Sequence, residues 1–128
     1  MKYNFNPADA SAQMLNEFAK LCRHKNDKWW KDPVTGEPLQ RNRAELLMLI
    51  VSELAEAMEG ERKNLMDDKL PHRRMAEVEL ADALIRIFDY AGGFGYDIGG
   101  AFVEKMAYNA VRADHTAAER LKENGKKF

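Results

Sequence analysis

The chain is short of cysteine and of net charge, and it lacks long apolar runs. A single cysteine, Cys22, leaves no intrachain disulfide and no cysteine-based zinc cluster. It is expected to behave as a small apolar residue. No stretch approaches the roughly 20 apolar residues that a membrane helix requires. Met1 to Pro7 is polar and aromatic, unlike a secretory leader. A cytoplasmic protein with no membrane partner is therefore expected. Twenty basic residues against 21 acidic ones give a formal net charge of −1. A stable nucleic-acid binder needs a basic excess, so none is expected here. No helical glutamate precedes a histidine by three residues, which excludes the di-iron or di-manganese carboxylate pattern. No His-Asp dipeptide occurs, which removes a histidine–aspartate phosphohydrolase.

What is present fits one helical domain spanning residues 1–128. The composition is 45% apolar and 32% charged, ordinary for such a fold. A chain of this length buries roughly two thirds of its unfolded surface. The periodicity predicts four main helices. Asn6 and Pro7 open the first, which runs to about His24 with Met14, Leu15, Phe18, Leu21 and Cys22 at helical spacing. Tyr3 and Phe5 before it are expected to pack onto a neighbour. The second helix runs from about Arg43 to Lys63. The third begins near Pro71 and ends at Gly92 to Gly95. The fourth runs from an Asp97 cap to about Ala113, with Gly99 and Gly100 weakening its first turn. Residues 26–42 carry Pro33, Gly36 and Pro38 and are expected to form a loop. Residues 116–128 are charged and expected to fray. No strand is expected.

The organising stretch is Leu46 to Asp89. Glu53 and Glu56 stand in SELAEAME, and Glu79 and Asp82 in EVELADAL. Residues three apart on a helix share a face, so each pair points two carboxylates the same way. At about 100° per residue, Leu46, Leu49, Ile50, Leu54 and Ala57 form an apolar stripe with Glu53 in its middle and Glu56 on its flank. A carboxylate on a core-facing stripe is costly unless it is paired or holds a metal. On the third helix, Leu80, Ala81, Leu84, Ile87, Phe88 and Ala91 make a wide apolar face. Glu79, Asp82, Arg86 and Asp89 form a narrow charged seam opposite it, which is expected to face protein or a site. Four carboxylates from two packed helices are a hard-oxygen set suited to Mg²⁺ or Mn²⁺. The plainer possibility is solvated surface with ion pairs such as Asp82 with Arg86.

An ExxE on one helix followed, after a linker, by ExxD on the next resembles the signature of MazG-like enzymes. These belong to the all-α nucleoside triphosphate pyrophosphohydrolase superfamily. The stretch LIRIFDYAGGFGYDI after the second acidic pair is similar to the family, as is KMAYNAVRADH with its Lys…Asn…Arg order. The similarity covers roughly residues 43–115. It implies a four-helix-bundle-type MazG-like fold assembled as a homodimer or homotetramer. It also implies Mg²⁺-dependent cleavage of a (d)NTP between the α and β phosphates, giving the monophosphate and pyrophosphate for nucleotide-pool control. Mn²⁺ is expected to substitute. Glu53, Glu56, Glu79 and Asp82 would then be the metal-binding and catalytic residues, with Glu56 favoured for orienting the attacking water.

Three further groups fall into place beside them. Lys105, Asn109 and Arg112 share a helical face and suit phosphate oxygens. Trp29 and Trp30 are candidates for stacking on a base, and one of them is expected to anchor the loop instead. His24 and Asn26 stand close by in sequence as candidates for reading base edges. Arg86 and Asp89 are expected to orient Asp82 or a neighbouring helix. The alternative of another class is a non-catalytic regulatory or assembly module whose acidic seam is ion-paired.

Overall fold

The computed structural model describes residues 7–128, so the packing expected of Tyr3 and Phe5 lies outside the described residues. Five α-helices follow one another: α1 Pro7–Lys25, α2 Arg43–Lys63, α3 Met75–Phe94, α4 Ile98–Ala110 and the short α5 Ala117–Arg120. Turns of 3₁₀ helix lie at Asp27–Trp30 and Ala113–His115. The described residues contain two isolated bridges, Lys31 with Pro38 and Met66 with Arg74, and no strand. The protein is all-α.

Local chemistry sets most of the boundaries. The Asn42 side chain accepts from the Glu45 amide at 3.0 Å and caps α2. Asn64 closes the same helix in the left-handed conformation, with φ 53°. The Asp97 side chain accepts from the Gly100 amide at 2.8 Å and starts α4 as expected. The third helix begins four residues later than Pro71, at Met75. The reason is Asp67, only 6% exposed, whose side chain accepts from the amides of Lys69 and Leu70 at 3.0 and 2.7 Å. Its own amide donates to the Arg73 carbonyl at 2.9 Å. This folds residues 67–73 into a tight turn, and side-chain-to-backbone bonds of this kind compete with helix. The third helix also continues through Gly92 and Gly93 and ends at Gly95, where φ is 71°.

The helices pack in a row. α2 lies against α3, α3 against α1, and α1 against α4, while α2 and α4 make no principal contact. A closed four-helix bundle is therefore not what one chain forms. Small residues let the row close up: Ala57 and Gly60 of α2, Ala76, Ala83 and Ala91 of α3, and Ala19 of α1 are buried. A methyl group at Gly92 would strike the Ala19 carbonyl, and one at Gly99 would strike the Ala12 carbonyl. Both glycines therefore permit backbone-to-backbone approach onto α1.

Large apolar side chains, by contrast, stay outside. Leu47, Val51, Leu54 and Met58 follow one face of α2 at helical spacing, and all four are exposed. The wide apolar face of α3 is split: Leu80 and Leu84 are half exposed, whereas Phe88 packs on Phe18 of α1 and Ala91 is buried. No large side chain among the described residues is fully buried. No helix among them is long and apolar enough to cross a membrane.

Residues 113–128 form a 3₁₀ turn, α5 and a returning coil segment held by charge. Asp114 pairs with Arg112 at 2.7 Å and with Lys126 at 2.9 Å. Thr116 caps α5 through the Glu119 amide at 3.3 Å.

Candidate metal centre and adjoining cavity

Glu53 lies on the same stripe of α2 as Ala57 and Gly60, the residues buried against α3. It is 8% exposed, so the helix carries a carboxylate into the interface as the periodicity predicts. Glu56 is exposed one turn further on, and Glu79 of α3 faces both from across the interface. Ligand oxygens of Glu53, Glu56 and Glu79 all lie within 4.8 Å of one another. Asp82 stands outside this triad and lines the space beside it.

The charges here are poorly matched. Burial raises the Glu53 pKa, but the Arg86 guanidinium, donating from Nε at 2.8 Å, brings the group below its usual range. Hydrogen bonds shared with the Glu79 and Glu56 carboxyls help hold it there. The proton goes to Glu79, which burial and the neighbouring Glu53 and Glu56 push up to about 7. Burial and Glu53 also raise Asp82. Three converging carboxyl groups, with Glu79 pushed up to about 7 by the others and by burial, are an arrangement a divalent cation relieves, because it replaces a shared proton with two positive charges. The donor set is all carboxylate, which fits Mg²⁺ or Mn²⁺.

Two cavities meet at this point, with Glu53 and Asp82 lining both. The acidic one, of about 530 Å³, is bounded by the triad, Asp82 and the turn Met66 to Lys69. The other, of about 480 Å³, lies towards the loop. Its walls are Trp29, Leu46, Leu49 and Ile85, and its polar groups include Asn26, Arg41, Arg86 and Asp89.

The loop that supplies Trp29 is an ordered excursion. Asp32 accepts from the amides of Val34 and Thr35, both at 2.8 Å, and the Leu39 amide donates to the Trp30 carbonyl at 2.8 Å. The two tryptophans divide their work. Trp30 is buried, sits edge-on to Phe94 at 5.4 Å, lies under the Arg23 guanidinium and presses on Gly93. Its Nε1 donates to both Asp89 oxygens, at 3.1 and 3.2 Å. Of the two candidates for the base contact, Trp30 is thus the one that anchors the loop. Trp29 is 60% exposed and lines the cavity, and Arg41 donates to its carbonyl at 2.7 Å. His24 is exposed and does not line either cavity, whereas Asn26 does.

Arg86 reaches the neighbouring helix as expected, through Glu53. Asp89 serves Trp30, and the two do not pair with each other. Lys105, Asn109 and Arg112 are not brought to the acids. They ride on α4 and just after it, at the other end of the row. Arg112 is engaged by Asp114, Lys105 lies over the Tyr108 ring at 4.8 Å, and the Asn109 Oδ1 is buried without a partner. Two contributors were not singled out in the sequence. Asp67 shapes the turn over the acidic cavity, and Lys69 lies on its wall near Asp82. The available signal was the Asx-turn pattern of an aspartate preceding a short polar reversal.

Comparison with family models, curated proteins and solved structures finds no match to the chain.

Proposed function

We propose that the chain is a Mg²⁺-dependent nucleoside triphosphate pyrophosphohydrolase of the MazG-like type. The observation that carries this reading is the mismatched acidic triad Glu53, Glu56 and Glu79, which shares a wall with an aromatic-sided cavity. One end suits metal-bound polyphosphate and the other suits a base, as a nucleotide requires. In this reading Glu53, Glu56 and Glu79 hold the cation, with Asp82 alongside. When bound, Mg²⁺ neutralises the triphosphate and lowers the pKa of a water. Water adds to the α phosphorus, the bridging bond to the β phosphate breaks, and pyrophosphate leaves. Glu56 is the most exposed of the triad, and we assign it to orienting that water and taking its proton. Arg86 fixes the Glu53 carboxylate, so the ligand set is held before substrate arrives.

The same reading includes a homodimer or homotetramer. The open stripe Leu47, Val51, Leu54 and Met58 is the kind of contiguous apolar face that marks a protein interface. The phosphate contacts expected of Lys105, Asn109 and Arg112 then require a second copy to bring its α4 to the acids.

One observation favours the non-catalytic alternative: the Arg86–Glu53 ion pair at 2.8 Å, which links the two helices as a structural seam would. A single guanidinium leaves Glu56, Glu79 and Asp82 without an ion-pair partner among the described residues, so the seam is not neutralised. The deciding experiment incubates the protein with each common and non-standard dNTP and Mg²⁺ and separates the products. Monophosphate plus pyrophosphate is expected. Diphosphate plus orthophosphate places the scissile bond elsewhere. No turnover, together with a melting temperature indifferent to Mn²⁺ and a nucleotide analogue, overturns the enzyme reading in favour of the module.

A further inference from the structure

The cavity beside Trp29 has a chemical sign of its own. Its side walls are the exposed Trp29 ring and the apolar Leu46, Leu49 and Ile85, which suit the two faces of a planar heterocycle. Its polar rim carries Asp89 and Asn26 as neighbours, close enough for a hydrogen bond between them to favour the Asp89 carboxylate. Asp89 is a poor candidate for a merely solvated acid. It is half-buried, and Trp30 Nε1 donates to both of its oxygens. Burial raises its pKa above the usual carboxylate value, and the Trp30 donation with Arg23 and Arg41 close by opposes that rise. Both oxygens already serve as acceptors for the indole N–H, and the carboxylate only accepts hydrogen bonds. A carboxylate has about four lone-pair sites, so one shared indole N–H leaves others free to accept.

We propose that this cavity selects bases that present an exocyclic amine next to a ring nitrogen acceptor, cytosine and adenine, over bases that present a carbonyl there. The fixed acceptor at Asp89 takes the amine N–H, and the Asn26 amide donates to the ring nitrogen. Uracil, thymine and hypoxanthine offer a carbonyl beside a ring N–H and no exocyclic amine, the reverse pattern; guanine carries an amine as well as a carbonyl beside its ring N–H and so does not discriminate. Asn26 can turn its amide to suit either pattern. Asp89 cannot, and a carbonyl oxygen against it leaves two acceptors facing each other. Asp89 is therefore the specificity-determining group and Asn26 its adaptable partner. Carboxylates accept from the cytosine amine, and Asn pairs with adenine, by the same geometry in nucleic-acid readers. Trp30 acts as a positioning residue by holding the carboxylate in place.

This inference rests on the nucleotide reading above, and the test separates the two. The protein is assayed with dCTP, dATP, dUTP, dTTP and dITP under Mg²⁺, and kcat/KM is compared. Binding of the corresponding monophosphates is measured in parallel by calorimetry. The amine-bearing bases are expected to lead by about tenfold to a hundredfold, the range of one well-placed pair of base contacts. Asp89→Asn, whose side-chain oxygen can still accept from Trp30, is expected to shrink or invert that ranking. Hydrolysis of all five at similar rates, or a lead for dUTP, dTTP or dITP, overturns the selectivity and leaves the hydrolase reading standing. A ranking that survives Asp89→Asn overturns the role of Asp89. Selective monophosphate binding without hydrolysis of any triphosphate supports the selectivity and overturns the hydrolase reading. If Asp89→Asn does not fold, the wild-type ranking alone decides.

Discussion

Beyond the end of α4, Asp114 sits between Arg112 and Lys126 at 2.7 and 2.9 Å, and its carboxyl is held well below the usual range by those two hydrogen bonds. Between α2 and α3, Glu53, Glu56, Glu79 and Asp82 crowd together with Arg86 as their one ion-pair partner among the described residues, and Glu79 is pushed up to about 7. Both are dense charge clusters in a chain of nearly zero net charge. In the first, the one negative charge is more than balanced by its own neighbours, and the cluster closes a tail. The second is left short of positive charge in a partly buried place, where the shortage costs stability unless something is bound. Charge imbalance, more than charge density, separates a structural cluster from a candidate site.

The largest expected difference between the two is in turnover. Glu53→Gln or Asp82→Asn should lower (d)NTP hydrolysis by at least about a hundredfold, the loss seen even for groups that only support metal ligands. The helical CD spectrum should stay intact. Activity within tenfold of wild type in either variant would remove the acids from the chemistry. The next effect is on stability. Mn²⁺ or Mg²⁺ at a hundredfold excess over its Kd should stabilise the wild type by about 2.7 kcal/mol, read as a raised Tm. Glu79→Gln should abolish most of that response while slightly raising the metal-free Tm, because it removes a repelled charge.

A third effect is in pH. The folded-state pKa of Glu79 lies above its ordinary value of 4.5. Its contribution to stability is therefore fully present below about 4.5 and is lost as pH rises through about 7. Metal-free protein should lose this increment between those limits, and Mn²⁺ should cancel the loss at the upper end by replacing the proton. A pH-independent response to Mn²⁺ over that range would contradict the shared-proton picture. The smallest effect belongs to the balanced cluster. Asp114→Asn should move Tm by about a degree or less, as exposed ion pairs do, and leave hydrolysis and the metal response within twofold. A large loss of activity there would mean that the tail reaches the site.

How much of this was legible in the sequence depended on the range of the interaction. The limits of α2 and the caps at Asn42 and Asp97 are local and could be read directly. So could the inward position of Glu53, because a charge on an apolar stripe is a property of one helix. The start of α3 was misplaced because a buried aspartate two turns upstream, Asp67, holds the chain in a turn that Pro71 alone does not announce. Gly92 and Gly93 read as a helix stop, since their use in close packing depends on Ala19 and Trp30 from distant segments. Which tryptophan anchors the loop was undecided for the same reason: the choice rests on Asp89, 59 residues away from Trp30. The grouping of Lys105, Asn109 and Arg112 with the acids failed within one chain because helical spacing fixes a face and says nothing of the neighbour it meets.

The contacts at Gly92 and Gly99 carry one more consequence. Where main chain rests on main chain, no side chain can repack to let one helix slide over the next. α3, α1 and α4 should therefore move as a single stiff plate. In a chain built this way α4 stays at the edge away from the acids, and a basic side chain of an α4 would reach them only from another polypeptide.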